Sequence, residues 1–238
     1  YGRYQRRGWG PAMHARTAGV VMELPAVVVI AACAVLAWRS EMGIFSPAFI
    51  RSFGSAARIA PIVFLALWEI HYVYRTFVFP LLMRGGAKPF PIVLVLFAMV
   101  FNTANGFVNG YVLFLAGRLY STNWFADPRF IAGAVLFLFG LWAHFSADRT
   151  LRRLRKERSQ GYAIPRGGLF EFVSAPNYFG EIVQWCGWAI MTWSLAGLSF
   201  AVFTIANLLP RGVVHHRWYR DHFDDYPEDR RAVVPFLL

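Results

Sequence analysis

Seven ionisable side chains lie in or beside stretches that are otherwise apolar: Glu23, Glu69, His71, Arg75, His144, Glu171 and Glu181. Charge at membrane depth is costly, so each is a functional candidate by default. Polar residues also recur at helical spacing. Asn102, Asn105 and Asn109 stand at i, i+3 and i+7 beside Gly106 and Gly110. Asn177 and Glu181 stand at i and i+4, and Asp148, Arg152 and Arg155 at i, i+4 and i+7. Arg211, His215 and Tyr219 would share a face if their segment is helical, and Glu69, Tyr72 and Arg75 follow at steps of three. Cations, amides and carboxylates grouped in this way suit a phosphate-bearing dinucleotide, with cations for phosphates and carboxylates for ribose hydroxyls. No glycine-rich dinucleotide fingerprint and no Walker motif accompanies them, so a soluble nucleotide fold is not the vehicle.

Plainer roles stand beside these. The Asn102, Asn105 and Asn109 stripe can be interhelical glue where glycines let helices approach. Arg152 and Arg155 can be ordinary juxtamembrane charges. Glu69 with Arg75 can be a self-neutralising pair. Glu171 reads as interfacial, and His71 and His144 taken alone read as core histidines. Glu23 and Glu181 resist such readings, because neither has a cation nearby in sequence.

The elements that must hold these groups are membrane helices. Of 238 residues, 57% are hydrophobic, 18% aromatic and only 16% charged, well below the share of charge in soluble domains. Mean hydropathy is +0.42. This excludes a soluble globular enzyme, a disordered chain and a nucleic-acid-binding tail. Cys33 and Cys186 sit in apolar runs and offer neither a disulfide framework nor metal-ligand spacing. Runs long enough to cross a bilayer are Ala18–Trp38, Ile59–Met83, Phe90–Gly117, Phe130–Ala147, and Leu169–Leu209. The last is too long for one crossing and is predicted to turn near Thr192–Gly197, giving six spans. The net charge of +11 then reads as topology. Segments on one side (1–17, 84–89, 148–168 and 211–238) carry 18 Lys and Arg, against 5 on the other. The cation-rich side, with seven in 148–168, is predicted to be cytoplasmic. The expected architecture is all-α, one polytopic membrane bundle over 1–238, in contact with the lipid bilayer and with no nucleic-acid or metal partner.

The chain resembles the steroid 5α-reductase (3-oxo-5α-steroid 4-dehydrogenase) family over nearly its whole length. The residues that carry the resemblance are Glu23-Leu24-Pro25, His71-Tyr72-Val73-Tyr74-Arg75-Thr76-Phe77-Val78, Asn105-Gly106 with Gly110-Tyr111, and Asp148 with Leu151-Arg152-Arg153-Leu154-Arg155-Lys156. The C-terminal third adds Ile164-Pro165, Gly167-Gly168-Leu169-Phe170, Asn177-Tyr178-Phe179-Gly180-Glu181, His215-His216-Arg217-Trp218-Tyr219, Asp225-Tyr226-Pro227 and Pro235-Phe236. The resemblance implies seven membrane helices, one of them upstream of Tyr1, and NADPH bound from the cytosolic side. It also implies a steroid or sterol-like enone substrate reached between helices.

By that resemblance Glu23 and Tyr72 hold the steroid 3-keto oxygen. His144, Asp148, Arg152, Arg155, Tyr162, Asn177, Glu181, Arg211, His215 and Tyr219 surround NADPH. His144 stands where relatives carry asparagine, and Arg166 where they carry glutamine. The implied reaction adds hydride to C5 of a 4-ene-3-oxosteroid while negative charge builds on the ketone oxygen. Tyr72 can donate a hydrogen bond there, and Glu23 can donate if protonated, the form that desolvation favours. Rival readings are a reductase of another conjugated lipid enone or enoyl thioester, a membrane methyltransferase, and a transporter using Glu23 and Glu69. The excess of Arg over Lys, 22 to 2, suggests a bacterial inner membrane, with the endoplasmic reticulum as its eukaryotic counterpart.

Overall fold

A computed structural model describes residues 9–83, 85–117, 120–121, 123–157 and 162–238. Of the cations counted above, Arg3, Arg6, Arg7, Arg84, Arg118 and Arg158 lie outside the described residues. The chain divides into two compact units, Tyr1–Ala126 and Asp127–Leu238.

In the first unit a short strand, β1 (Ala12–His14), leads into helix α1 (Ala15–Arg39), which carries Pro25 in its interior. Proline has no N–H to return to the carbonyl four residues back, so α1 lacks one backbone bond near the level of Glu23. Helix α2 (Pro47–Phe53) is a surface turn capped by Ser46. Helix α3 (Ile59–Val73) passes into a π-helical turn, Tyr74–Val78, and then α4 (Phe79–Leu82). Strand β2 (Pro89–Pro91) pairs antiparallel with β1, and helix α5 (Ile92–Gly110) ends in a second π-helical turn, Tyr111–Leu115. Arg16 at the start of α1 donates to the carbonyls of Pro80 and Met83, so α1 begins where α4 ends. Helices α1 and α5 pack through small residues. A Cβ added at Gly106 would meet Val29 at 3.4 Å, and one at Gly110 would meet Cys33 at 2.9 Å.

The second unit holds α6 (Pro128–Glu157), α7 (Pro176–Thr192) and α8 (Leu195–His222). Helices α6 and α7 run antiparallel with their backbones in contact, because glycines face each other seven residues apart on both. A Cβ at Gly133 would lie 2.4 Å from the Met191 nitrogen, and one at Gly140 would lie 2.3 Å from the Gln184 nitrogen. One at Gly187 would lie 2.4 Å from the Phe137 nitrogen, and one at Gly180 would lie 2.5 Å from the His144 nitrogen. No side chain fits between these helices at those four levels.

Among the described residues, five helical stretches are long and apolar enough to cross a membrane: Ala15–Phe45, Ser55–Leu82, Ile92–Leu115, Pro128–Lys156 and Leu195–His222. The sixth expected crossing, α7, has 17 residues, about 25 Å of helix against a hydrocarbon core of about 30 Å. The turn expected between the last two helices is present. Trp193 adopts the left-handed conformation, and Ser194 caps α8 by accepting from the Gly197 nitrogen at 3.0 Å. Many large apolar side chains remain exposed, among them Phe97, Val100, Val135 and Leu195, as expected of surfaces that meet lipid. One boundary differs from expectation. The fourth span was predicted to end at Ala147 with a basic loop after it, yet α6 continues to Glu157, so Asp148, Arg152 and Arg155 belong to a helix. Hydropathy ends where the charges begin, whereas helix formers such as Leu, Arg and Lys carry the helix onward.

Candidate functional site

The first unit supplies a polar cluster around Glu23. Trp68 on α3 donates through Nε1 to the Ala26 carbonyl on α1 at 2.9 Å. Tyr72 lies one turn after Trp68, and Glu23 about one turn before Ala26. The two helices run in opposite directions, so this contact brings Glu23 and Tyr72 to the same level. Tyr72 is buried, with the rings of Trp68 and His71 at 4.8 and 5.0 Å. Arg75, within the π-helical turn, donates through Nη2 to Glu23 Oε1 at 3.0 Å. Such turns often occur at functional sites, and this one shifts the phase of the helix immediately after Tyr72. Asn102 on α5 donates to Glu23 Oε2 at 3.3 Å and to the Met22 carbonyl at 2.6 Å.

These bonds revise one premise. Glu23 has no cation nearby in sequence, but the fold brings Arg75 to it across 52 residues. The isolated neutral acid read from the sequence is therefore a carboxyl group in contact with a guanidinium. Glu69 keeps one buried oxygen without a hydrogen-bond partner among the described residues. Elsewhere on the α5 stripe Asn109 donates to both the backbone and side-chain oxygens of Asn105 at 3.1 Å, a contact within one helix and not between helices. The buried Asn105 side-chain nitrogen has no hydrogen-bond partner among the described residues.

The second unit groups His144, Asp148, Asn177 and Glu181. His144 is 1% exposed, and its Nδ1 lies 3.2 Å from the Asn177 carbonyl and 3.7 Å from Glu181 Oε2. Its Nε2 lies 3.5 Å from Asp148 Oδ2. The close approach at Gly180 makes this possible, because it sets the backbone of α7 against that of α6 at residue 144. Asp148 Oδ2 is buried and makes no hydrogen bond among the described residues. His215 on α8 joins through Tyr178, whose hydroxyl lies 3.3 Å from His215 Nε2. Arg152 and Arg155 extend the His144 and Asp148 face of α6, and Arg211 lies one turn before His215 on α8. Tyr162 and Tyr219 are placed differently. Tyr162 packs edge-on against Trp218, and Tyr219 stacks on Tyr226 with ring centres 5.5 Å apart.

Sequence reasoning missed the brace that fixes the start of α7. The C-terminal segment runs beside Phe172–Ala175. There the Ser174 nitrogen donates to the Arg231 carbonyl at 2.8 Å, the Ala175 nitrogen to Ala232 at 3.1 Å, and the Arg231 nitrogen to Phe172 at 2.9 Å. The Ser174 hydroxyl lies 2.6 Å from both His216 Nδ1 and the Tyr226 hydroxyl, and it donates to the Arg231 carbonyl. Arg230, 1% exposed, donates to the Pro165 carbonyl at 3.1 Å and lies over the Tyr226 ring. Residues so far apart in sequence give no periodic signal. Only the serine, histidine, tyrosine and arginine in an apolar chain could have pointed to this cluster.

As a binding surface, the second unit suits a phosphorylated dinucleotide. Arg152, Arg155 and Arg211 can meet phosphates. Asp148 and Glu181 can accept from hydroxyl or amide groups, and the unbonded buried oxygen of Asp148 calls for a donor.

A family model described as 3-oxo-5-alpha-steroid 4-dehydrogenase matches residues 88–238. Over its whole length the chain is 42% identical to 3-oxo-5-alpha-steroid 4-dehydrogenase 1 of Bos taurus, covering 87% of that protein. It is 43% identical to the same-named protein of Rattus norvegicus, covering 86%. It is 39% identical to Steroid 5-alpha-reductase DET2 of Arabidopsis thaliana, again over the whole chain and 87% of the relative.

Proposed function

Because the chain belongs to the 3-oxo-5-alpha-steroid 4-dehydrogenase family, we propose that it reduces the 4,5 double bond of 3-oxo-4-ene steroids to 5α-steroids with NADPH. It is a multi-pass membrane oxidoreductase. The observation that carries the reading is the Glu23, Tyr72 and Arg75 cluster, held at one level of the bundle in a chain of this family. The cation-rich ends of α6 and α8 support a cofactor side facing the cytoplasm, and the arginine-rich composition supports a bacterial inner membrane.

In the first unit, Tyr72 donates its phenolic hydrogen bond to the C3 ketone oxygen, where charge develops. A ketone oxygen only accepts, so Glu23 holds it through a proton on its carboxyl. Arg75 donates to Oε1 and Asn102 to Oε2, so an Oε2 that carries that proton accepts from Asn102 with a remaining lone pair while its O–H points to the ketone. In the second unit, Arg152, Arg155 and Arg211 would hold the phosphates of NADPH, and His144, Asp148, Asn177, Glu181 and His215 would bond its hydroxyl and amide groups. When bound, the cofactor supplies the hydride that adds at C5. Protonation at C4 completes the reduction. Apolar helix faces exclude water, which lengthens the reach of every dipole aimed at the ketone.

The test is incubation of the purified protein with NADPH and progesterone or testosterone, with the product identified by mass and by stereochemistry at C5. A 5α-reduced steroid is expected. NADPH oxidation with a different conjugated lipid, and none with these steroids, would transfer the activity to that lipid class.

Two substitutions divide the machinery. Tyr72→Phe is expected to lower kcat on the order of 100-fold with NADPH binding unchanged, because the lost donor acts mainly in the transition state. Wild-type turnover would reduce Tyr72 to a packing residue. Arg155→Ala or Arg211→Ala is expected to raise the NADPH requirement about tenfold, through one lost charge-assisted contact, with a smaller change for the steroid. NADPH titrations unaltered in both variants would leave those charges with a topological role alone.

A further inference from the structure

Every carboxyl bond described above has a use in the proposed reaction except the one from Asn102. Its position is unusual in two respects. It is 6% exposed and lies on α5, a helix that contributes no other group to the cluster. Its amide nitrogen bonds both the Met22 carbonyl and Glu23 Oε2, so it grips the backbone of one residue and the side chain of the next. The Met22 carbonyl accepts only, so the nitrogen rather than the oxygen of the amide must face α1. Both amide hydrogens are then engaged, and the amide cannot turn without breaking the 2.6 Å bond.

We propose that Asn102 is a positioning residue for the reduction, setting the plane of the Glu23 carboxyl group that holds the steroid ketone. The inference rests on that reading of Glu23. Arg75 fixes one oxygen only, and its long side chain is 26% exposed, so by itself it leaves the carboxyl free to turn about its last bond. A second donor on the other oxygen, from a different helix, removes that freedom. Asn102 has two rotatable side-chain bonds and a backbone anchor, which makes it a stiff donor. On the same stripe Asn109 donates to Asn105, and the buried Asn105 side-chain nitrogen has no hydrogen-bond partner among the described residues, so Asn102 is the member of the stripe that bonds Glu23.

The test is a double-mutant cycle on the full chain with NADPH and the steroid. Asn102→Leu keeps the volume and removes the donor, and it is expected to lower kcat about tenfold. Steroid KM, NADPH binding and the unfolding temperature should stay close to wild type. In a Glu23→Ala background the same substitution is expected to change kcat less than twofold, since the group it positions is gone. An equal loss in both backgrounds overturns the proposal and makes Asn102 a packing contact between α1 and α5. Wild-type turnover in Glu23→Ala itself overturns the Glu23 reading, and this one with it. If Asn102→Leu does not accumulate as folded protein, Asn102→Ser is judged by the same criteria, its hydroxyl being too short to reach Glu23.

Discussion

Glu23→Ala is expected to lower steroid turnover by about 1,000-fold while leaving NADPH binding within twofold. In the proposed role of Glu23 the substitution removes a donor to the ketone oxygen, a contribution of about 3–4 kcal/mol where charge develops in the transition state. It also removes the carboxyl that accepts the 3.0 Å bond from Arg75. Glu23→Gln separates these effects. Its carbonyl can still accept from Arg75, and its amide can still donate to the ketone. That amide, however, faces the Asn102 donor that formerly met Oε2. Glutamine should therefore recover about tenfold over alanine without approaching wild type. Measurement of kcat and of NADPH affinity for both variants decides the matter. If glutamine proves as damaging as alanine, donation to the ketone is not the role of Glu23, and the residue serves as the anion that anchors Arg75.

Gly180→Ala is expected to abolish folded protein or to lower its unfolding temperature sharply, at a cost of about 3 kcal/mol or more. The added methyl would lie 2.5 Å from the His144 nitrogen, 2.7 Å from the Gly140 carbonyl oxygen and 3.0 Å from the Ala143 carbonyl carbon. All three are backbone atoms, so no side chain can rotate away and the helices must part. Parting also separates His144 from Asn177 and Glu181, so any folded remnant should have lost NADPH binding. Gly106→Ala is the matched control. Its methyl would meet mainly the Val29 side chain at 3.4 Å, with room to adjust, and the effect should stay below about 1 kcal/mol. Unfolding temperature and yield after detergent extraction compare the two. Equal behaviour would mean that backbone contact at Gly180 does not limit the packing of α6 against α7.

Much of this fold could be read from the chain, for identifiable reasons. Long apolar runs locate helices, and the uncharged stretch Ile182–Leu209, too long for one crossing, requires the turn found at Trp193. Hydropathy could not show that α6 continues past Ala147, because it reports the solvent of a helix and not its length. Local spacing grouped Asp148 with Arg152 and Arg155, and Asn177 with Glu181, because each set lies on one helix, while His144 stood out only as an ionisable group in an apolar run. Spacing could not find that α7 brings Asn177 and Glu181 to His144. The glycines that do so were visible at seven-residue intervals, 133 and 140 on one run and 180 and 187 on the next. Their meaning appears only when the runs are laid antiparallel. Arg75 and Asn102 reach Glu23 from 52 and 79 residues away, a distance over which periodicity carries no information.

The brace at the start of α7 has a consequence for the order of assembly during synthesis. Chains mature from the N-terminus as they emerge. Residues 172–175 leave the ribosome well before Arg231 and Ala232, whose carbonyls receive the backbone hydrogen bonds of Ser174 and Ala175. Until that late segment arrives, the stretch entering α7 lacks these bonds and the Ser174 hydroxyl lacks its carbonyl acceptor. The first unit can therefore complete its packing while translation is under way, whereas the polar groups at the head of α7, proposed to meet the nucleotide, are fastened among the final events of biogenesis.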